Sequence, residues 1–429
     1  MQSINIGFAG MTHLGIISQV IAATRGFNTI GYHVEDETVK SLSKGDLPIY
    51  EPGLKNLFNK NLQKLNYSSK PSALNKCDLV YISVDIPTNN FGTSDLAIIN
   101  KMIDTVSFHL REDAFIIVLS QVPPGFTRKL SIPHKRVFYQ VETLIYGRAV
   151  ERAMYPERFI VGCADPNAPL PPAIETYLSS FDCPILKMRY ESAELSKISI
   201  NMYLVSSVST TNILSEICEK LDADWHEIIP ALKLDKRIGP HAYLKPGLGI
   251  AGGNLERDLA TVIRLADNKE CNAEVVKSWI ADSTYRKDWS LRRFNEVALA
   301  GNNIKFIGML GLAYKENTAS IKNSAAIVML RSLINRTKKY KIKVYDPQVQ
   351  SETIPFSGFS VVQSPIEVCK NSDVILLMTP WPEFKKLKPT VLANIMKGNL
   401  IIDPYSILKT EECSSAGLRH LTLGKAFHI

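Results

Sequence analysis

The sequence predicts an α/β protein with a helical middle: α/β at the start, mostly helix in the centre, and α/β again toward the end. Three observations predict it. The chain opens as strand, glycine turn, helix, strand; residues from about Glu191 to Lys220 contain neither Gly nor Pro; and short apolar runs alternate with helical texture again beyond about Asn302. The chain has 429 residues, and at roughly 100–200 residues per domain it should hold two or three domains.

The elements follow in order. INIGFAG (4–10) reads as a buried strand, MTHLGIISQVIAATRG (11–26) as a helix closed by Gly26, and FNTIGYHV (27–34) as a second strand. CDLVYISV (77–84) and AFIIVLSQV (114–122) are short apolar runs bounded by polar or Pro-rich segments, as buried parallel strands should be. The Gly/Pro-free stretch predicts one long helix, a candidate spine or dimer interface. Helical segments continue to about Ala298, interrupted by the glycine-rich KPGLGIAGGNLERDL (245–259). Strand and turn return in NNIKFIGMLGLAYK (302–315), then a helix over 325–333, then KIKVYDP (341–347) and SDVILLMTP (372–380). These shifts set domain boundaries at 1–190, 191–298 and 299–429.

Composition narrows the class. Hydrophobic residues at 45% and charged residues at 21% are ordinary globular values, so a sizeable core is expected. No apolar run approaches the roughly 20 residues a membrane span needs, and the N-terminus lacks the basic and apolar regions of a secretory signal. A cytoplasmic chain with no membrane contact is therefore expected. Seven cysteines without CxxC spacing argue against a disulfide framework or a metal site. The formal charge of +8 is diffuse. Its densest basic run, RTKKYKIK (336–343), reads as a solvated helix end, not as a nucleic-acid platform. A positive balance suits an anionic small substrate.

The first turn, Gly10-Met11-Thr12-His13-Leu14-Gly15, fits G-x-G-x-x-G except that Thr12 stands where the second glycine belongs. Those glycines serve the tight turn, the approach of a pyrophosphate, and helix packing. Thr12 bears on the second: it either pushes the phosphates outward or donates its hydroxyl to one. Such a turn also occurs without any nucleotide. An acidic residue about 20 positions on would hold the adenosine ribose. His33 occupies the usual aspartate position and Glu35 is the nearest carboxylate, either the ribose ligand, which favours NAD over NADP, or an exposed turn residue.

Several phrases taken together resemble the UDP-glucose/GDP-mannose dehydrogenases. They are GDLPIYEPGL (45–54), IPTNNFGTSDL (86–96), SQVPPGFT (120–127), AELSKISIN (193–201), KRIG (236–239), GLAYKENT (311–318), VYDP (344–347) and TPWPEF (379–384), in the family's order and over nearly the whole chain. The resemblance implies two Rossmann-like domains joined by a helical middle whose long helix makes a homodimer. It further implies NAD on the N-terminal domain, with Lys315 as a further cofactor contact, and a nucleotide-sugar substrate held largely by the C-terminal one. Members oxidise a sugar CH2OH to a carboxylate with two NAD, through a cysteine-bound thiohemiacetal and thioester.

Residue by residue, the resemblance carries over unevenly. The family's glycine loop reads roughly G-F-G-G-S-C-F-P-K-D, and a gapless match from Gly249 through Gly252 to Asp258 puts Asn254 at the nucleophilic cysteine. An amide has no thiolate with which to attack an aldehyde. YQVETLIYG (139–147) keeps Glu142 but has Tyr146 where a second glutamate assists water, and Gln121 replaces a threonine near the reacting carbon. Lys197 and Asn201, four apart on one helix face, and Asp258 match residues that polarise the reacting oxygen and order a water. Arg237 matches an arginine that reaches the partner subunit's sugar site. Beyond Lys315 the family's T-D-D-x-R-x-S-P is replaced by residues 318–325, with Lys322 in the arginine's place; lysine cannot form the planar fork. Each retained residue also has a plainer reading: surface lysine for Lys197, hydrogen-bonding side chains for Asn201 and Glu142, helix N-cap for Asp258, packing for Tyr146. Taken together the matches lead to an NAD-dependent oxidoreductase of a nucleotide sugar that removes two electrons or runs reversibly. The alternatives are an ordinary four-electron dehydrogenase and a non-catalytic nucleotide-sugar-binding protein.

Overall fold

The computed structural model describes residues 4–87, 94–299, 304–336 and 340–427. Most of IPTNNFGTSDL and the centre of RTKKYKIK lie outside them. The chain divides into two compact units, Met1–Ile200 and Asn201–Ile429.

Among the described residues the first unit is built on strands β1 (Asn5–Ala9), β2 (Asn28–Tyr32), β3 (Leu65–Ser68), β4 (Leu79–Ile82), β5 (Phe115–Val118), β6 (Val137–Gln140), β7 (Phe159–Cys163) and β8 (Ile185–Arg189). They form one sheet in the order β3-β2-β1-β4-β5-β6-β7-β8. All neighbours are parallel except β6 and β7, where Tyr139 pairs with Gly162 antiparallel. Helices α1 (His13–Thr24), α2 (Asp36–Lys44), α3 (Leu54–Lys60), α4 (Ala97–His109), α5 (Ala149–Met154) and α6 (Pro172–Ser179) connect the strands. β4 is buried along its whole length, which explains its uninterrupted apolar sequence. Two cores form, one holding Phe8, Ile17 and Tyr81, the other Val80, Ile103 and Val118.

Helix α7 (Tyr190–Leu221) is the predicted long helix; residues up to Ile200 belong to the first unit and the rest to the second. The second unit continues with α8 (Trp225–Leu234), α9 (Asn254–Asn268), α10 (Glu274–Lys287) and α11 (Trp289–Leu299). Its sheet has the order β11-β10-β9-β12-β13-β14, from β9 (Phe306–Leu310), β10 (Lys341–Tyr345), β11 (Ser360–Val361), β12 (Val374–Leu377), β13 (Leu400–Ile402) and β14 (Arg419–Leu421). Its pairings are all parallel. Around it lie α12 (Ala325–Arg336), α13 (Pro365–Cys369), α14 (Pro389–Ile395) and α15 (Thr410–Ser415). Both sheets are doubly wound, with the order reversing beside the first strand, where such sheets receive ligands. No described helix is long and apolar enough to cross a membrane.

Candidate active site

In the first unit the turn from β1 to α1 is closed by backbone. Gly10 N–H donates to Tyr32 O at 2.9 Å, and Gly10 has φ +105°. A Cβ there would lie 2.5 Å from Val84, and one on Gly15 would lie 1.9 Å from Gly10 O. The first and third glycines are therefore required by the turn and by the approach of α1 to it. Thr12 is the N-cap in extended conformation, but its side chain caps no helix N–H, and no acidic residue stands in the first turn. Its hydroxyl lies 3.1 Å from Ser83 O. A helix N-terminus whose donors are not consumed by its own cap suits a diphosphate, and this cradle fits a dinucleotide in that respect. Leu14 is buried in the core.

His33 turns inward, its Nδ1 accepting from Met11 N at 3.2 Å. Glu35 stands 3.6 Å from His33 Nε2 with its side chain 70% exposed, and accepts from Thr38 Oγ1 at 3.1 Å. His33 thus shapes the turn, while Glu35 keeps an accessible carboxylate at the tip of β2.

His13 Nε2 donates to Glu51 Oε1 at 2.8 Å. The buried Glu51 carboxylate also accepts from Gly147 N at 2.9 Å and Ala149 N at 3.2 Å. Its three partners brace the cofactor turn against the segment carrying Tyr146, whose ring lies 4.2 Å from that of His13. Glu142 lies on the same segment, accepting from Leu144 N. Lys197 Nζ on α7 stands 3.7 Å from Glu142 Oε2, both side chains largely shielded at 15% and 19% exposure. Gln121 is half-buried after β5. Glu194, one turn before Lys197, holds the segment beyond Gln121: its buried carboxylate accepts from Gly125 N at 2.5 Å and Thr127 N at 2.8 Å. Burial raises the Glu194 carboxyl above its ordinary range, against the pull of those donors.

In the second unit Asn201 Nδ2 donates to Asp258 Oδ2 at 2.5 Å, and Arg257 Nε donates to Asp258 Oδ1 at 3.3 Å. Asn201 and Asp258 are buried. The N-cap reading of Asp258 is corrected here. α9 starts at Asn254 with Gly253 as N-cap, because the left-handed Gly252 and Gly253 (φ +95° and +110°) end the loop there; Asp258 is one turn inside. Asn254 is the exposed first residue of α9. The loop glycines accommodate the protein's own atoms: a Cβ on Gly249 would meet Ser283 O at 2.5 Å, on Gly252 the Tyr314 ring at 2.7 Å, and on Gly253 the Lys322 side chain at 3.0 Å. Lys322 O also accepts from Gly252 N at 3.1 Å. Lys315 is half-buried, its Nζ 5.8 Å from the Tyr314 ring centre. Arg237 is exposed and forks onto Asp235 at 3.0 and 2.7 Å.

Glu51 and Glu194 lie inside motifs the sequence reading quoted but were not singled out, since their roles depend on segments far away in sequence. Asp85, three residues beyond the end of β4, was missed as well. Crowding by protein atoms raises its carboxyl above the ordinary range, against the pull of Thr12 and His13. The available signal was a lone acid at the C-terminal edge of a parallel strand.

Residues 4–177 match the NAD binding domain of the UDP-glucose/GDP-mannose dehydrogenase family, 191–282 its central domain and 308–410 its UDP binding domain. Among curated proteins, UDP-glucose 6-dehydrogenases of Rickettsia bellii and Bacillus subtilis are each 28% identical; alignments span 98% of this chain and 99% and 93% of theirs. Among solved structures, a UDP-glucose dehydrogenase of Pyrobaculum islandicum superposes with a TM-score of 0.83 at 25% identity over 96% of both chains. A UDP-D-ManNAc dehydrogenase of Pyrococcus horikoshii shares the fold, with a TM-score of 0.83 at 21% identity over 98% of this chain and 99% of that one. The glycine turn, the two doubly wound sheets and these matches converge, and the chain belongs to the UDP-glucose/GDP-mannose dehydrogenase family of NAD-dependent nucleotide-sugar dehydrogenases.

Proposed function

We propose that this chain oxidises an alcohol carbon of a nucleotide sugar by two electrons, or oxidises and re-reduces it, without a thioester. The observation that carries this reading is Asn254 at the start of α9, where the family's nucleophilic cysteine aligns. No other thiol is a ready substitute. Cys271 lies beyond the far end of α9, a helix of 15 residues and so roughly 22 Å long. Burial pushes the thiols of Cys77, Cys369 and Cys413 up to about 12 and raises those of Cys163, Cys183 and Cys218. The relatives' names and the UDP binding domain favour a UDP-sugar.

Bound NAD supplies the hydride acceptor. On the first unit the Lys197 ammonium is positioned by Glu142 to stabilise negative charge on an oxygen losing its proton. On the second, Asp258 fixes the Asn201 amide, which can hold an oxygen or order a water. Neither arrangement provides a covalent acyl carrier, so oxidation stops at the carbonyl. The carbonyl is then released or, where the carbon is a secondary alcohol, reduced again by the bound NADH from the other face to an epimer.

The test is to incubate the protein with NAD and a panel of nucleotide sugars, measuring NADH formed per sugar consumed and product mass. At most one NADH, with a product two hydrogens lighter or an isomer, is expected. Two NADH and a carboxylate would return the chain to the four-electron dehydrogenases, and binding without turnover to a non-catalytic binder. Asn254→Cys should not restore carboxylate formation, since Tyr146 and Gln121 also depart from the family pattern. We further infer a homodimer through α7, supported by its exposed apolar side chains Tyr203, Ile213, Leu214, Ile217 and Leu221, with Arg237 reaching the partner's sugar site. A monomer by light scattering at micromolar concentration would overturn this.

A further inference from the structure

The segment leading to Asn254 carries glycine at 247, 249, 252 and 253, a composition that by itself implies a mobile chain. The structure holds it instead. Tyr243 O accepts from the Ser207 and Thr211 hydroxyls at 3.0 and 2.9 Å, and Leu244 O accepts from the Trp225 indole at 2.8 Å. Gly247 is gripped on both sides: its N–H donates to Asn212 Oδ1 at 2.9 Å, and its carbonyl accepts from Arg286 Nε at 3.3 Å. Ile250 N–H donates to Ser283 Oγ at 2.7 Å, and its side chain is buried with Val205 and Leu259. Each of these hydrogen-bond partners lies on α7, α8 or α10, within the second unit.

The groups that grip the loop are themselves fixed. Arg286 is buried, and its other nitrogens donate to Glu216 Oε2 at 2.8 Å and Ser215 Oγ at 3.0 Å. Those two bonds set the plane of the rigid guanidinium and hence the direction of Nε. Asn212 and Ser283 are buried as well. Ser283 also leaves no room for a side chain at 249, where a Cβ would fall 2.5 Å from its carbonyl oxygen. Polar groups are costly to bury unless hydrogen-bonded, and here three buried polar side chains direct a hydrogen bond at one loop backbone.

We infer that Asn212, Ser283 and Arg286 are positioning residues of the sugar site: they hold residues 247–250, and with them the start of α9 at Asn254, in one conformation before any substrate arrives. The inference rests on the reading that places Asn254 at the reacting carbon. The three residues act through the loop backbone. A loop that is already ordered spares the ligand the entropy of ordering it, so affinity for the sugar half of a nucleotide sugar depends on hydrogen bonds made to the loop from α7 and α10.

The experiment is amide hydrogen exchange by mass spectrometry on the full chain, for the parent, Asn212→Leu and Ser283→Ala, each free and with UDP-glucose, beside calorimetry with UDP-glucose and with UDP. In the free parent the peptide covering 243–254 should exchange slowly, and UDP-glucose should change its rate by less than about twofold. In both variants that peptide should exchange about tenfold faster or more, while peptides from β9 and β12 keep the parent's rates. UDP-glucose should bind the variants about tenfold more weakly, with UDP affinity within about twofold of the parent. A parent loop that exchanges fast when free and slows on addition of UDP-glucose is ordered by the substrate, which overturns the inference and leaves the sugar-site reading intact. Variant loops that exchange no faster than the parent's have the same meaning. Variants with a loosened loop but an unchanged ratio of UDP-glucose to UDP affinity, or a parent that binds neither ligand, overturn the sugar-site reading and the inference together.

Discussion

The first six strands of the eight-stranded sheet follow the same order as the six strands of the second sheet, and the two sheets differ at the tip of their second strand. In the first, Gly10 N–H donates to Tyr32 O and Met11 N–H to the His33 ring; α1 begins immediately, and the carboxylate of Glu35 remains exposed. In the second, Gly311 N–H donates to Tyr345 O at 2.8 Å in the same way. There Asp346 turns inward, accepting from Leu312 N at 2.7 Å, Ala313 N at 3.0 Å and Trp381 Nε1 at 3.1 Å. The next helix, α12, does not start until Ala325. Only the first unit therefore combines a helix N-terminus at the turn with an acid accessible to a ribose. Strand order alone does not assign a ligand; the residues at the strand tips do.

Gly15→Ala tests this contrast most severely. Its Cβ would fall 1.9 Å from Gly10 O, so α1 must move away from the turn. NAD binding should weaken by about a hundredfold or more, with a stability loss of about 1–3 kcal/mol, by calorimetry and urea unfolding. Unchanged affinity would mean that the cofactor does not use this turn.

Asp346→Ala should be next in size. It strands the backbone N–H groups of Leu312, Ala313, Gln348 and Val349 and the Trp381 indole N–H, and should destabilise the second unit by about 2–3 kcal/mol while leaving NAD affinity unchanged. A loss of NAD binding with unchanged stability would reverse the assignment of the two tips.

Glu194→Gln gives a smaller effect, visible as pH dependence. A carboxyl whose folded pKa is raised by burial is penalised when ionised, so its contribution to stability falls as pH rises from the ordinary glutamate range through the raised value. The stability of parent minus variant should therefore shrink between pH 4.5 and pH 8, by about 1 kcal/mol, in urea titrations. A difference that grows with pH would contradict the burial argument. The smallest effect belongs to Glu35→Ala: stability within about 0.5 kcal/mol of the parent, but NAD weakened about threefold, as loss of a partly exposed hydrogen bond implies. Equal NAD affinity would leave Glu35 an exposed turn residue.

Local pattern made much of this legible. β1, α1 and β2 follow from apolar period and glycine placement, and α7 from a Gly/Pro-free run that matches Tyr190–Leu221 nearly end to end. β7 and the antiparallel step at β6 were not foreseen, because FIVGC is a short apolar run with nothing in it to state direction. At the site, Lys197 with Glu142 and Asn201 with Asp258 were each named and each lie together within one unit. Glu194 escaped notice because its partners are far off in sequence: from helix α7 it meets Gly125 and Thr127, 69 and 67 positions away.

Glu51 has a consequence in time. Its backbone partners Gly147 and Ala149 lie 96 and 98 residues downstream, and synthesis at about 5–20 residues per second separates their appearance by roughly 5–20 s. Through that interval the Glu51 carboxylate cannot join its downstream partners, and the His13 turn stands unbraced against the Tyr146 segment. The turn that cradles the cofactor is thus braced only once the chain has grown as far as Ala149.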